Sequence, residues 1–181
     1  MKFLTAIVLA LSVATMAGCG GGGSGSSAGE PQNPPPVTRA FDMGFTTWPY
    51  DATVTAVNFV YAETSARGDF IAHHLDGGIP WQEALDGTGY PPGFQDWLDF
   101  QADRVPLGHA VYVAVTPISD TRNRLAGYRN DTGNNQPLPP PWDAYEFDSP
   151  EVIAAFTNFC LDMIEQFSPT YFAYAIEANM L

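Results

Sequence analysis

Three of the four tryptophans stand beside proline in segments that follow strand-like runs: Trp48-Pro49, Pro80-Trp81 and Pro141-Trp142. Trp97 is the exception and falls on a predicted helix. A flat indole at a polar cleft offers a face to the C–H groups of a sugar ring, while the ring's hydroxyls need hydrogen bonds from the rim. His74, Asp76, Asp120, Arg122 and Asn123 stand at the same ends and could supply those bonds. The competing reading is that each Trp-Pro pair closes its loop by packing, and both readings stay open. Glu177 closes the last apolar run. A carboxyl partly withdrawn from water at the rim of an apolar interior has a raised pKa and is suited to donate a proton. The alternative is a glutamate that only hydrogen-bonds within the rim.

His73-His74-Leu75-Asp76 invites a metal site. Neighbours on a strand point to opposite faces, so both imidazoles cannot reach one ion. The third histidine, His109, opens a different strand at its far end, so no three-ligand set assembles and no metal or other cofactor is expected. One of the paired histidines is expected to pack under helices, and the other to line the cleft with Asp76. Cys160 sits within an apolar helical stripe and reads as a core residue. Arg122-Asn123-Arg124 could hold an anion, or the two arginines could simply be solvated.

Alternating strands and helices must position these groups. Ala40 to Thr46 reads as a short strand, and Ala52 to Ala66 as a helix on the spacing of Val54, Val57, Val60 and Tyr61, with Asp51 as N-cap. Asp69 to Leu75 is predicted as a second strand, stopped by Asp76-Gly77-Gly78. Short helices follow at Trp81 to Asp86 and Gly93 to Arg104. His109 to Thr116 is the clearest strand, and its continuous apolarity suits a parallel strand covered on both faces. The connection from Pro117 to Asp148 is far longer than usual and reads as a functional loop. Ser149-Pro150-Glu151 is a strong helix start. Val152, Phe156, Phe159, Met163 and Phe167 form its apolar stripe. In the last strand, Tyr171 to Glu177, alternation puts Tyr171, Ala173, Ala175 and Glu177 on one face. The bulkier Phe172, Tyr174 and Ile176 share the other, which suits packing against outer helices.

This order implies an α/β fold with a parallel sheet. A doubly wound sheet usually carries a glycine-rich turn after its first strand. Here that turn is Thr47-Trp48-Pro49-Tyr50. A partial (β/α)8 TIM barrel of about four β/α units, over residues 38–181, is therefore expected, since a whole barrel takes eight strands and typically ~250 residues. With four strands the face and edges are left for a remaining barrel half or for self-association.

Composition narrows the partners. The chain has 181 residues, 45% apolar, with 20 Asp and Glu against 7 Lys and Arg and a formal net charge of −13. Such a balance argues against nucleic acid, which is bound through a basic face. Lys2 and the apolar stretch from Phe3 to Met16 form a secretory signal, too short to span a membrane. Ala17-Gly18-Cys19 resembles the lipobox of bacterial lipoproteins. That resemblance implies a signal peptide over 1–18, acylation of Cys19, and a lipid-anchored place in the cell envelope, facing the periplasm or the cell surface. An ordinary signal peptide cut at small residues is the alternative. Residues 19–37 are rich in Gly, Ser and Pro and read as a disordered linker.

The end of the chain resembles the (β/α)8 clan of retaining glycosidases, and within it the endo-β-1,4-galactanases, whose fourth strand ends in Glu, one residue, then Asn. Glu177-Ala178-Asn179 has that spacing, with Ile176 where the clan has Asn before the Glu. The resemblance implies that Glu177 is the acid/base, that Asn179 contacts substrate, and that the ligand is a polysaccharide or oligosaccharide. The clan's nucleophile lies at the end of strand seven, for which the four units here offer no candidate. A non-catalytic glycan-binding lipoprotein, or an inactive truncated product, are the readings from other classes.

Overall fold

The computed structural model describes residues 40–176. The signal segment 1–18, Cys19, the linker 19–37, Glu177 and Asn179 lie outside the described residues.

β-branched and aromatic residues make short strands, and four of them form one parallel sheet. In sheet order these are β1 (Gly44–Thr46), β2 (Phe70–Leu75), β3 (Ala110–Val115) and β6 (Tyr171–Ala173). Registers pair Thr46 with Ala72, Ala72 with Tyr112, and Tyr112 with Tyr171. Each step between neighbouring strands carries a helix, which is the α/β arrangement expected. The helices are α1 (Val54–Arg67), then α2 (Trp81–Asp86) and α3 (Pro92–Ala102), then α4 (Pro150–Phe167). The amphipathic stripe of α4 is buried at Val152, Ala155, Phe159, Met163 and Phe167, with Phe156 only partly covered.

The helices lie on one face of the sheet. Ile71, His73, Leu75, Val111, Val113 and Val115 point into the core, where Tyr61 of α1 and Phe167 of α4 both meet the His73 ring. The other face carries Phe70, His74, Tyr112 and Tyr171, and no described helix packs on it. Phe70 and Tyr112 are half-buried and Tyr171 is exposed, their rings touching at 6.3–6.5 Å. Gly44 makes this possible, because a Cβ there would lie 2.0 Å from the Phe70 ring.

Some boundaries differ from the sequence reading. The first strand is shorter, since β1 finds ladder partners only in Phe70–Ala72. The N-cap of α1 is Thr53, whose Oγ1 accepts the Ala56 N–H at 3.2 Å, rather than Asp51, whose carboxylate accepts the neighbouring Ala52 N–H. The last strand stops at Ala173, leaving Tyr174 exposed. Phe172 packs on the core as alternation required, but Ile176 does not follow it toward the helices. Its N–H donates to the Val115 carbonyl at 3.3 Å, beside the end of β3.

The long 117–148 connection is a folded piece rather than an open loop. It holds an antiparallel hairpin, β4 (Tyr128–Asn130) and β5 (Gly133–Gln136), and a 3-10 turn at Trp142–Ala144. The hairpin docks on the segment after β2. Ile79 N–H donates to Gly127 O at 3.0 Å, Arg129 N–H to Ile79 O at 3.0 Å, and Asn135 N–H to Gly77 O at 2.8 Å. No described helix is long and apolar enough to cross a membrane.

Candidate functional site

The C-terminal ends of parallel strands are where ligands bind in this class of sheet, because loops diverge there and open a crevice. Trp48 follows β1, His74 and Asp76 end β2, and Asp120 and Arg122 follow β3. These five residues meet around a hollow of about 200 Å³, together with Thr116, Ile118, Ser119 and Ile176. Trp48 is 64% exposed and stands edge-on to the His74 ring at 6.0 Å, which leaves indole surface for a ligand. Thr116 ties the hollow's floor, accepting the Ile118 N–H at 3.2 Å and donating to Ile176 O at 3.4 Å. Arg122 is held in its turn by the Asp120 carbonyl, at a left-handed φ of 58°.

The paired histidines part as strand alternation requires. His74 faces the hollow and also neighbours Tyr112 at 5.9 Å. His73 is fully buried on the helix side, with Nδ1 3.5 Å from the Tyr61 hydroxyl and its ring 5.0 Å from that of Phe167. Burial brings its pKa down to about 4, against a smaller opposing effect of the Gln101 amide. His109 sits at the opposite end of β3, with Nε2 3.0 Å from Ser65 O. Cys160 is half-buried against the core, and burial pushes its thiol up to about 11.

Trp81 lines none of the crevice, and Trp142 meets it only at the wall of a further hollow beyond Asp120. They are 0% and 1% exposed and stack on each other at 5.5 Å with a 25° interplanar angle. Their polar handles are also satisfied, since Trp81 Nε1 donates to Ala126 O at 3.0 Å and Trp142 Nε1 to Gln82 Oε1 at 3.1 Å. The pair fastens the hairpin segment to α2, so for these two tryptophans packing is the correct account. At 0% and 1% exposure, neither ring offers a face on which a sugar could stack.

A second hollow of about 200 Å³ shares the wall made by Trp48, His74 and Asp76 but lies on its α3 side. Sequence reading missed its other residues: Phe94, Trp97, Phe100 and Gln101 from α3, Arg129 from β4, and Asn134 from the hairpin. Trp97 lies on α3, as its sequence context implies, yet it is 36% exposed at this wall. Arg129 gives no signal in the sequence, because the hairpin that carries it lacks an apolar alternation. A third hollow, of about 480 Å³, continues past Ser119 and Asp120 toward Asn135 and Tyr145. The three share walls in series, so the crevice is elongated across the strand ends.

No protein-family model, curated protein or solved structure matches this chain.

Proposed function

We propose that this chain is a glycoside-hydrolase-like, carbohydrate-binding half of a (β/α)8 barrel, anchored to a membrane through acylated Cys19. The observation that carries the reading is the crevice at the C-terminal sheet edge, where exposed Trp48 stands among His74, Asp76, Asp120 and Arg122. An apolar ring face ringed by hydrogen-bonding side chains matches the two-sided chemistry of a pyranose. A parallel sheet in order β1-β2-β3-β6 with helices on one face supports the half-barrel part of the reading.

Glu177 is the proton donor in this proposal. Retaining hydrolysis needs a second carboxylate about 5–5.5 Å away, across the barrel. Asp76 and Asp120 follow β2 and β3, on the near side. A glycan binder without turnover is the second reading, favoured by that placement of Asp76 and Asp120.

Titration of the full chain with neutral galacto-oligosaccharides, followed by tryptophan fluorescence, tests the proposal. Binding is expected in the micromolar to millimolar range, with Trp48→Ala weakening it ~10-fold or more. Glu177→Gln is expected to leave affinity unchanged. Wild-type chain that shows no saturable change with any glycan defeats the reading.

A further inference from the structure

The hollow on the α3 side of Trp48 is lined by a cation that no carboxylate contacts among the described residues. The Arg129 guanidinium lies over the rings of Phe94 and Trp97, at 5.1 and 5.5 Å from their centroids. Its Nε is buried without a hydrogen-bond partner, and no carboxylate pairs with it among the described residues. Asp131, two residues on, accepts the Gly93 N–H at 2.8 Å instead. Gln101 Nε2, on the same wall, is likewise buried and has no partner in hydrogen-bonding geometry, although the amide neighbours His73. Burial lowers the Arg129 pKa, and Asp131 opposes that only in part.

Unpaired buried donors in one hollow are costly unless something supplies acceptors. Arginine matches a planar carboxylate through two parallel hydrogen bonds, and a neutral hydroxyl far less well. The volume, about 200 Å³, suits one ring-sized group. Trp48 and Trp97 bring indole surface to it, and Asp76 is exposed on its rim.

We propose that this hollow is a subsite for an acidic sugar, a uronic acid residue whose carboxylate pairs with Arg129 and accepts from Gln101. The proposal rests on the carbohydrate reading above and narrows its substrate class: an oligosaccharide with neutral residues along the β3 side of the Trp48 wall and a uronate on the α3 side. The net charge of −13 repels such a ligand at long range, so Arg129 supplies selectivity only at contact, once salt has screened the rest.

The test compares tetragalacturonate with neutral galactotetraose on the full chain at physiological salt, by calorimetry. Wild type is expected to bind the acidic tetramer ~10-fold or more tightly than the neutral one. Arg129→Met keeps an apolar side chain over Phe94 and is expected to erase that preference, the acidic tetramer losing ~10-fold or more affinity and the neutral one much less. Gln101→Leu, which leaves the arginine in place, is expected to reduce the preference by a smaller factor. Equal wild-type affinities, or a preference that survives Arg129→Met, overturn the subsite while leaving carbohydrate binding standing. Binding of neither tetramer overturns both.

Discussion

His73 shows how much one side chain's surroundings can decide. It is enclosed by Tyr61, Phe167 and the α3 side of the sheet, and its Nε2 has no partner in hydrogen-bonding geometry. In the unfolded chain an imidazole titrates near 6.5, whereas here burial holds it near 4. Between those values the unfolded chain binds more protons, so stability falls as pH drops from 6.5 toward 4 and is fully present above 6.5. The loss is on the order of 3 kcal/mol at the acid end of that window. Urea midpoints at pH 7, 6 and 5 should therefore decline for wild type, and the decline should be shallower for His73→Leu. Parallel declines would mean that His73 is not held neutral in the fold. The sequence made the division of labour between His73 and His74 legible, because strand alternation alone separates them. Which one faced the helices required knowing which face the helices cover.

Among the elements, the hairpin is the piece least visible in the sequence. Its turn was available to be read, since Asn130-Asp131-Thr132-Gly133 is turn chemistry and Asn130 Oδ1 accepts the Thr132 N–H at 2.9 Å. Its strands were not, because β5 is Gly-Asn-Asn-Gln and has no apolar alternation. What holds it is backbone pairing, close approach and one anchor, Tyr128 of β4, which is buried in the core with its hydroxyl donating to Glu83 Oε2 at 2.6 Å. A Cβ on Gly127 would lie 2.6 Å from Asn135 Cα. Gly127→Ala is accordingly expected to cost about 1–3 kcal/mol, read from thermal or urea unfolding, with backbone and not a pliable side chain in the way. An unchanged midpoint would show that the hairpin shifts freely. The helices and β2 and β3 were legible to within a residue or two, because their caps and apolar runs act locally. The tryptophans misled for a related reason. A Pro-Trp pair reads the same in a cleft and in a packed turn, and only the hairpin's docking decides between them.

At the scale of the molecule, the described helices cover only one side of the sheet. Its outer strands, Gly44–Thr46 and Tyr171–Ala173, carry no charge or proline to discourage pairing, and the face that no described helix covers bears Phe70, Tyr112 and Tyr171. The chain is expected to self-associate at micromolar concentration, which sedimentation velocity would register. Tyr171→Lys, placing a charge on the edge strand, should reduce it. A monomer with a sharp cooperative melt would count against the half-barrel proposal.

The stacked Trp81–Trp142 pair has an optical consequence. Two indoles 5.5 Å apart at a 25° angle couple their electronic transitions, giving a signed doublet in the circular dichroism that no isolated indole produces. One ring belongs to α2 and the other to the segment after the hairpin, so the doublet exists only while those pieces are docked. Trp48, out in solvent, reports ligand through its emission without contributing to that doublet. The four indoles thus divide into separate instruments, one for the crevice and one for the joint behind it.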